Sequence, residues 1–213
     1  MGDSSMSPTP ELHRPRPAVP PARDGELHQV VTIDGRTVQV NVSGPDKGTT
    51  VVMLAAAGHF ALSYRAVCER LHTAGLRTAV IGHDPHLHAK AITGVLDDIG
   101  VKVALLVGDR AGGELAWDLA ASKLDRFIGL VAIDRGHPRV ADRAGLIRDK
   151  HCPPVEINTT VLVTSDATRA IARASQRFVY GDYRIVELMG RRSATRDLTP
   201  ELAAEVVLRS SSW

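Results

Sequence analysis

The sequence predicts an α/β fold: a mostly parallel sheet that opens on an antiparallel hairpin and carries helices on both faces. Three observations predict it. Asp34-Gly35 separates two apolar stretches, the strongest short-range hairpin signal. From position 50 onward, short apolar runs alternate with amphipathic stretches, as strands and helices do in a parallel sheet. Gly108-Asp109-Arg110-Ala111-Gly112 lies between an unbroken apolar run and a helical repeat, so that segment reads strand, sharp turn, helix.

Taken in order, residues 1–25 hold Pro8, Pro10, Pro15, Pro17, Pro20 and Pro21 among Ser and charged residues. Such a stretch buries too little to order itself and is expected to be a disordered or polyproline-like tail. Residues 26–213 are expected to form one domain. The hairpin strands cover 27–33 and 36–42; in the second, Val38, Val40 and Val42 alternate with Thr37, Gln39 and Asn41, giving one buried and one wet face. After the polar turn at 43–48, strands are expected over 50–56, 77–81, 103–107, 127–133, 160–163 and 183–188. The run Val103-Ala104-Leu105-Leu106-Val107 has the continuous apolar character of a strand buried on both faces. Helices are marked by Tyr64, Val67, Cys68 and Leu71, by Ile92, Val95, Leu96 and Ile99, by Leu115 and Leu119, and by Ile171, Ala174 and Phe178. A last helix is expected with Thr199 as its cap, Pro200 at its first position and Glu201 in its first turn.

Composition narrows the function classes. The 213 residues are 44% hydrophobic and 23% charged, enough for one ordinary core. A net charge of +2 with 4% aromatics carries no nucleic-acid signature. Cys68 and Cys152 stand far apart without C-x-x-C spacing, so neither a disulfide framework nor a zinc site is indicated. No apolar run approaches a membrane span and no signal-peptide core is visible, which points to a cytoplasmic protein without membrane partners. No cofactor signature is present. In particular, Ala55-Ala56-Ala57-Gly58-His59 follows the first parallel strand where a dinucleotide-binding fold needs G-x-G-x-x-G.

The segment 108–112 has the frame of a G-x-S-x-G nucleophile elbow with arginine in the serine position. Gly112 and Gly113 let helix and sheet approach closely there. Hairpin, repeated strand and helix, and a glycine elbow after the fifth strand together resemble the α/β-hydrolase family over roughly residues 27–208. The segment 134–158, where relatives insert a lid, has room for one short helix, so a shallow, open crevice is expected.

That resemblance implies a nucleophile, a histidine base, an acid and two backbone oxyanion donors. Arg110 cannot attack a carbonyl, because its guanidinium stays protonated. Asp109 lies one residue early and is expected to point away from the tip. The oxyanion donors are expected at the N–H of Ala111 and near Ala56. Asp166, after the seventh strand, stands where the acid belongs, although an aspartate there can equally cap the next helix. The histidine expected after the last strand is missing from Met189-Gly190-Arg191-Arg192-Ser193-Ala194-Thr195.

A cation at a helix N-terminus opposes the macrodipole. Arg110 is therefore expected to have a compensating anion: an internal carboxylate from Asp84, Asp134 or Asp166, or a small anionic ligand held in a site formed by Arg110, Ala111, Ala56 and Asp134. His83-Asp84-Pro85-His86-Leu87-His88 offers an alternative chemistry, with His83 and Asp84 re-recruited for hydrolysis of a small ester-like substrate or His83, His86 and His88 as metal ligands. The spacing fits no metal-site pattern well. His59 and His137 also follow strands and can supplement either chemistry. Arg169, Arg173 and Arg177 recur every four residues and read as a solvated helix face, with docking of an acidic protein partner as the alternative. The expectation is a binding, regulatory or structural protein on a hydrolase-like frame, with a protein partner or a homo-oligomer left open.

Overall fold

The computed structural model describes residues 25–59, 61–123, 125–188 and 199–211. The expected tail at 1–25 and the segment 189–195 thus lie almost entirely outside the described residues.

Eight strands form one sheet in the order β1-β2-β4-β3-β5-β6-β7-β8. β1 (Glu26–Val31) and β2 (Thr37–Ser43) make the hairpin, with Val31 opposite Thr37. β2 joins β4 (Arg77–Ile81) antiparallel, and every pairing beyond is parallel, through β3 (Thr50–Leu54), β5 (Ala104–Asp109), β6 (Phe127–Ile133), β7 (Asn158–Val163) and β8 (Tyr183–Glu187).

The double burial of the central strands follows from their alternation. In β3, Val52 and Leu54 join one apolar cluster while Val51 and Met53 join the other; β5 divides Leu106 from Leu105 and Val107 in the same way. Helices α2 (Ala89–Asp98), α3 (Ala111–Ser122) and α4 (Asp166–Ser175) cover the first face, where Ile92, Trp117 and Ala172 are buried. Helices α1 (Arg65–Thr73) and α5 (Thr199–Ser210) cover the second through Leu71 and Val206.

Several boundaries differ from the sequence expectation. β3 stops at Leu54. β5 starts after the exposed Val103 and continues to Asp109, which still registers with Ile133 of β6. β7 begins earlier, at Asn158, and α5 already includes Thr199. α4 buries Thr168, Ala172 and Ser175 rather than the stripe Ile171, Ala174 and Phe178, and Phe178 ends a separate short turn. The arginines of α4 are not a free solvated face either: Arg169 and Arg173 pair with Glu187 at 3.1 and 3.7 Å, and Arg177 lies over the Phe178 ring. The segment 134–157 forms turns with an isolated bridge at Val155 and no helix. Among the described residues no helix is long and apolar enough to cross a membrane.

Candidate functional site

Arg110 joins β5 to α3 with φ 47° and ψ −99°, a conformation that L side chains rarely adopt. Three contacts fix it. Its N–H donates to Ile133 O at 3.0 Å, and its carbonyl accepts from Gly113 N and from Arg135 Nε, both at 3.1 Å. Asp134, at the end of the neighbouring β6, is the other non-glycine residue with positive φ among the described residues, at 52°. The two strained residues thus sit side by side where parallel strands end, the edge at which open α/β sheets bind ligands.

The compensating carboxylate is Asp109. Its Oδ2 lies 3.3 Å from Arg110 Nη2 and accepts from Tyr64 Oη at 2.8 Å. Burial keeps the Tyr64 phenol well above its usual range, and the Asp109 carboxylate adds to this, so the hydroxyl stays a donor. The Asp109 side chain is 8% exposed against 46% for Arg110, and the guanidinium bends back over the strand end to reach it. Asp109 stays on the buried side of the strand end, and the contact is made by the long arginine side chain. This pairing corrects all three expected partners. Asp84 accepts from the His86 N–H at 2.8 Å, Asp134 binds Thr164 through both oxygens at 2.8 and 2.6 Å, and the exposed Asp166 pairs with Arg169 at 3.1 Å. Asp84 and Asp166 are engaged within their own loop and helix, and Asp134 by the segment that follows the neighbouring β7.

The Ala56 N–H donates to the Tyr64 hydroxyl at 3.0 Å, so the same phenol occupies both this amide and Asp109. Ala111 is the first residue of α3, in the turn whose amides lack intrahelical acceptors. At α4 the cap is Ser165, in a capping box with Thr168, and Asp166 is the first helical residue. The histidine loop is likewise taken apart. His88 caps α2 through Nδ1 and turns Nε2 to Asp34 at 2.7 Å, and among the described residues no three His, Cys, Asp or Glu side chains gather as a metal site. His83 and His86 are exposed.

His59 is drawn to the elbow, with Nε2 3.5 Å from Arg110 Nη2 and Nδ1 3.2 Å from Ala57 O. His137 is buried between Trp117 and Phe178, and its Nε2 bonds to Pro153 O at 2.9 Å, a packing role. Sequence reasoning missed the Tyr64 contact and a serine–imidazole pair, Ser43 Oγ at 3.4 Å from His72 Nε2. The latter sits where β2 meets the start of β4, remote from the strand ends of the elbow, and His72 bonds more closely to Thr78 at 2.9 Å.

Two of the crevices along α3 adjoin the elbow. One, of about 390 Å3, is lined by Arg110, Asp134, Pro138, Val140, Arg143 and Ile171, among others. The second, of about 330 Å3, is bordered by His83, Asp84, Leu87, His88 and the first residues of α3, Ala111 and Gly112. The four residues expected to share an anion site are thereby divided. Arg110 and Asp134 face the first crevice and Ala111 the second, because α3 borders both, while the buried Ala56 amide is spent on Tyr64.

Asp118 on α3 lines the second crevice, and its carboxyl is pushed up to about 6 by burial, then by Glu114 and Asp149. From the ordinary 3.8 the shift is upward, so the unfolded chain releases its proton first as pH rises. Stability is therefore full below pH ~4 and falls through pH ~6. Asp118→Asn should raise stability at pH 7.5 by about 1 kcal/mol, a shift of roughly 2 units discounted for solvent screening. Urea melts at pH 4 and 7.5 test this; an equal gain at both values rejects it.

No family model and no curated protein matches the chain in sequence. Solved structures do match. Over 87% of this chain it resembles epoxide hydrolase A from Mycobacterium thermoresistibile, with 15% identity, a TM-score of 0.69 and 98% of that chain covered. The match to a haloalkane dehalogenase loop variant from Bradyrhizobium elkanii has 12% identity and a TM-score of 0.66, and that to dienelactone hydrolase from Anabaena variabilis has 18% and 0.64; each covers 87% of this chain and 97% of the other. With its sheet order, its crossover helices and the strained turn after β5, the chain carries the α/β-hydrolase fold.

Proposed function

We propose that this protein is a binding protein on the α/β-hydrolase fold that has given up serine-hydrolase chemistry and holds a small anion through Arg110. The observation that carries the reading is the half-exposed guanidinium at the strained elbow tip, turned into the larger crevice. One edge of that guanidinium engages Asp109 and His59, and its remaining N–H donors are available to a planar anion. Tyr64 supports the loss of hydrolysis, since it already occupies the Ala56 amide that an oxyanion would need.

A second reading is a divergent hydrolase of small esters. It draws on His83 and Asp84, which border a crevice beside the first turn of α3. One experiment separates the two. In thermal melts with added acetate or phosphate, the wild-type protein should be stabilised and Arg110→Ala should lose that response. Equal stabilisation of both proteins removes Arg110 as the anchor, and turnover of a p-nitrophenyl ester that disappears in His83→Ala replaces binding with hydrolysis.

A further inference from the structure

We infer that the anion held by Arg110 is the carboxylate of a small amphipathic molecule whose hydrocarbon body lies along Pro138, Val140 and Ile171. The inference rests on the reading of Arg110 as the anchor. The crevice offers the Arg110 guanidinium as a head site, with Arg143 a second cation in its wall, beside an apolar surface. Its volume of about 390 Å3 suits a compact organic molecule.

The charges in the wall argue for a single anionic group. Arg110, Arg135, Arg143 and Arg148 face Glu114, Asp134 and Asp142. Glu114 holds Arg135 and Arg148 at 3.8 and 3.6 Å, and Asp142 takes Arg148 at 3.5 Å. Asp142 is further fixed by the N–H groups of Leu146 and Ala144, which hold it below the usual carboxylate range. Arg110 keeps free donors, and Arg143 has no ion-pair partner among the described residues. A second anionic group beside Arg110 would meet Asp134, which bonds to Thr164 and has no ion-pair partner among the described residues.

The hydroxyls of the wall argue for a carboxylate over a phosphate. A tetrahedral phosphate is commonly wrapped by hydroxyl and backbone donors as well as by cations. Here the Thr164 hydroxyl donates to Asp134 at 2.6 Å, and Ser165 and Thr168 are engaged with each other in the capping box of α4. The donors left are planar guanidinium forks, that of Arg110 at the elbow first, and such a fork matches the two coplanar oxygens of a carboxylate.

The test is titration of the full chain, followed by NMR, with acetate, hexanoate and inorganic phosphate. Each methylene buried on the apolar wall favours binding by roughly fourfold. Hexanoate is expected to bind at least ~10-fold more tightly than acetate, and phosphate more weakly than hexanoate. Ile171→Ser should bring hexanoate close to acetate, and Arg110→Ala should abolish binding of both acids. The wild-type series alone decides the matter if Ile171→Ser does not fold. Equal affinities for acetate and hexanoate, or tightest binding of phosphate, with all binding lost in Arg110→Ala, overturn the amphipathic carboxylate and leave the anion anchor standing. Binding of all three probes that is indifferent to Arg110→Ala overturns the anchor itself.

Discussion

Trp117→Ala should lower stability by about 4 kcal/mol, within the usual range for deletion of a buried aromatic side chain. Trp117 is fully buried on the sheet-facing side of α3, and its Nε1–H donates to Arg135 O at 3.1 Å. Its ring also meets His137 edge-on at 5.5 Å, and His137 stacks on Phe178 at 4.8 Å. The indole thus supports the 135–138 segment, which walls the larger crevice, while Arg135 in turn holds the Arg110 carbonyl. Trp117→Phe keeps most of the ring volume and gives up the hydrogen bond, so a loss of about 1–2 kcal/mol is expected. Urea denaturation of both variants checks the pair. Similar losses for Phe and Ala would mean that the hydrogen bond, not the volume, carries the stability.

Gly112→Ala should destabilise by about 3 kcal/mol or prevent folding, because overpacking against backbone has little room to relax. A Cβ at Gly112 would overlap the Leu54 carbonyl at the end of β3 and stand 2.8 Å from Ala55 O. Neither atom is the end of a flexible side chain, so either β3 or the start of α3 has to move. Gly94→Ala is the matched control: Gly94 lies within α2, and a Cβ there meets nothing within 4 Å. That substitution should stabilise by about 0.5–1 kcal/mol through helix propensity and a less flexible unfolded chain. Losses of the same size at both positions would show that the contact of Gly112 with β3 is not what demands glycine.

The architecture was legible in sequence because it rests on local periodicity. Val38, Val40 and Val42 alternate on one face of β2, and the apolar run of β5 is buried on both sides because helices cover both faces. The elbow was legible for a related reason. Gly108, Gly112 and Gly113 mark a crossing too close for side chains, and such a crossing leaves its trace directly in residue type. Arg110 in the nucleophile position needs no coordinates to be seen.

The partners of Arg110 were not legible. Asp84, Asp134 and Asp166 follow strands as a ligand-side acid should, yet each is engaged by a group two to thirty positions away that the pattern does not reveal. Asp109 lies one residue before the tip on the buried side of the strand, and only the backward curl of a long flexible guanidinium brings the two together. Tyr64 lies 45 positions from Asp109; in sequence it reads as an ordinary apolar position of a helix, whereas it closes the short turn before α1. The sheet, the run of the main helices and the cation at the elbow follow from apolar periodicity and from glycines at close crossings, which are written locally in the chain. Which carboxylate answers that cation, which hydroxyl fills the Ala56 amide and which crevice the guanidinium faces are set by contacts between distant side chains, whose geometry no local pattern encodes.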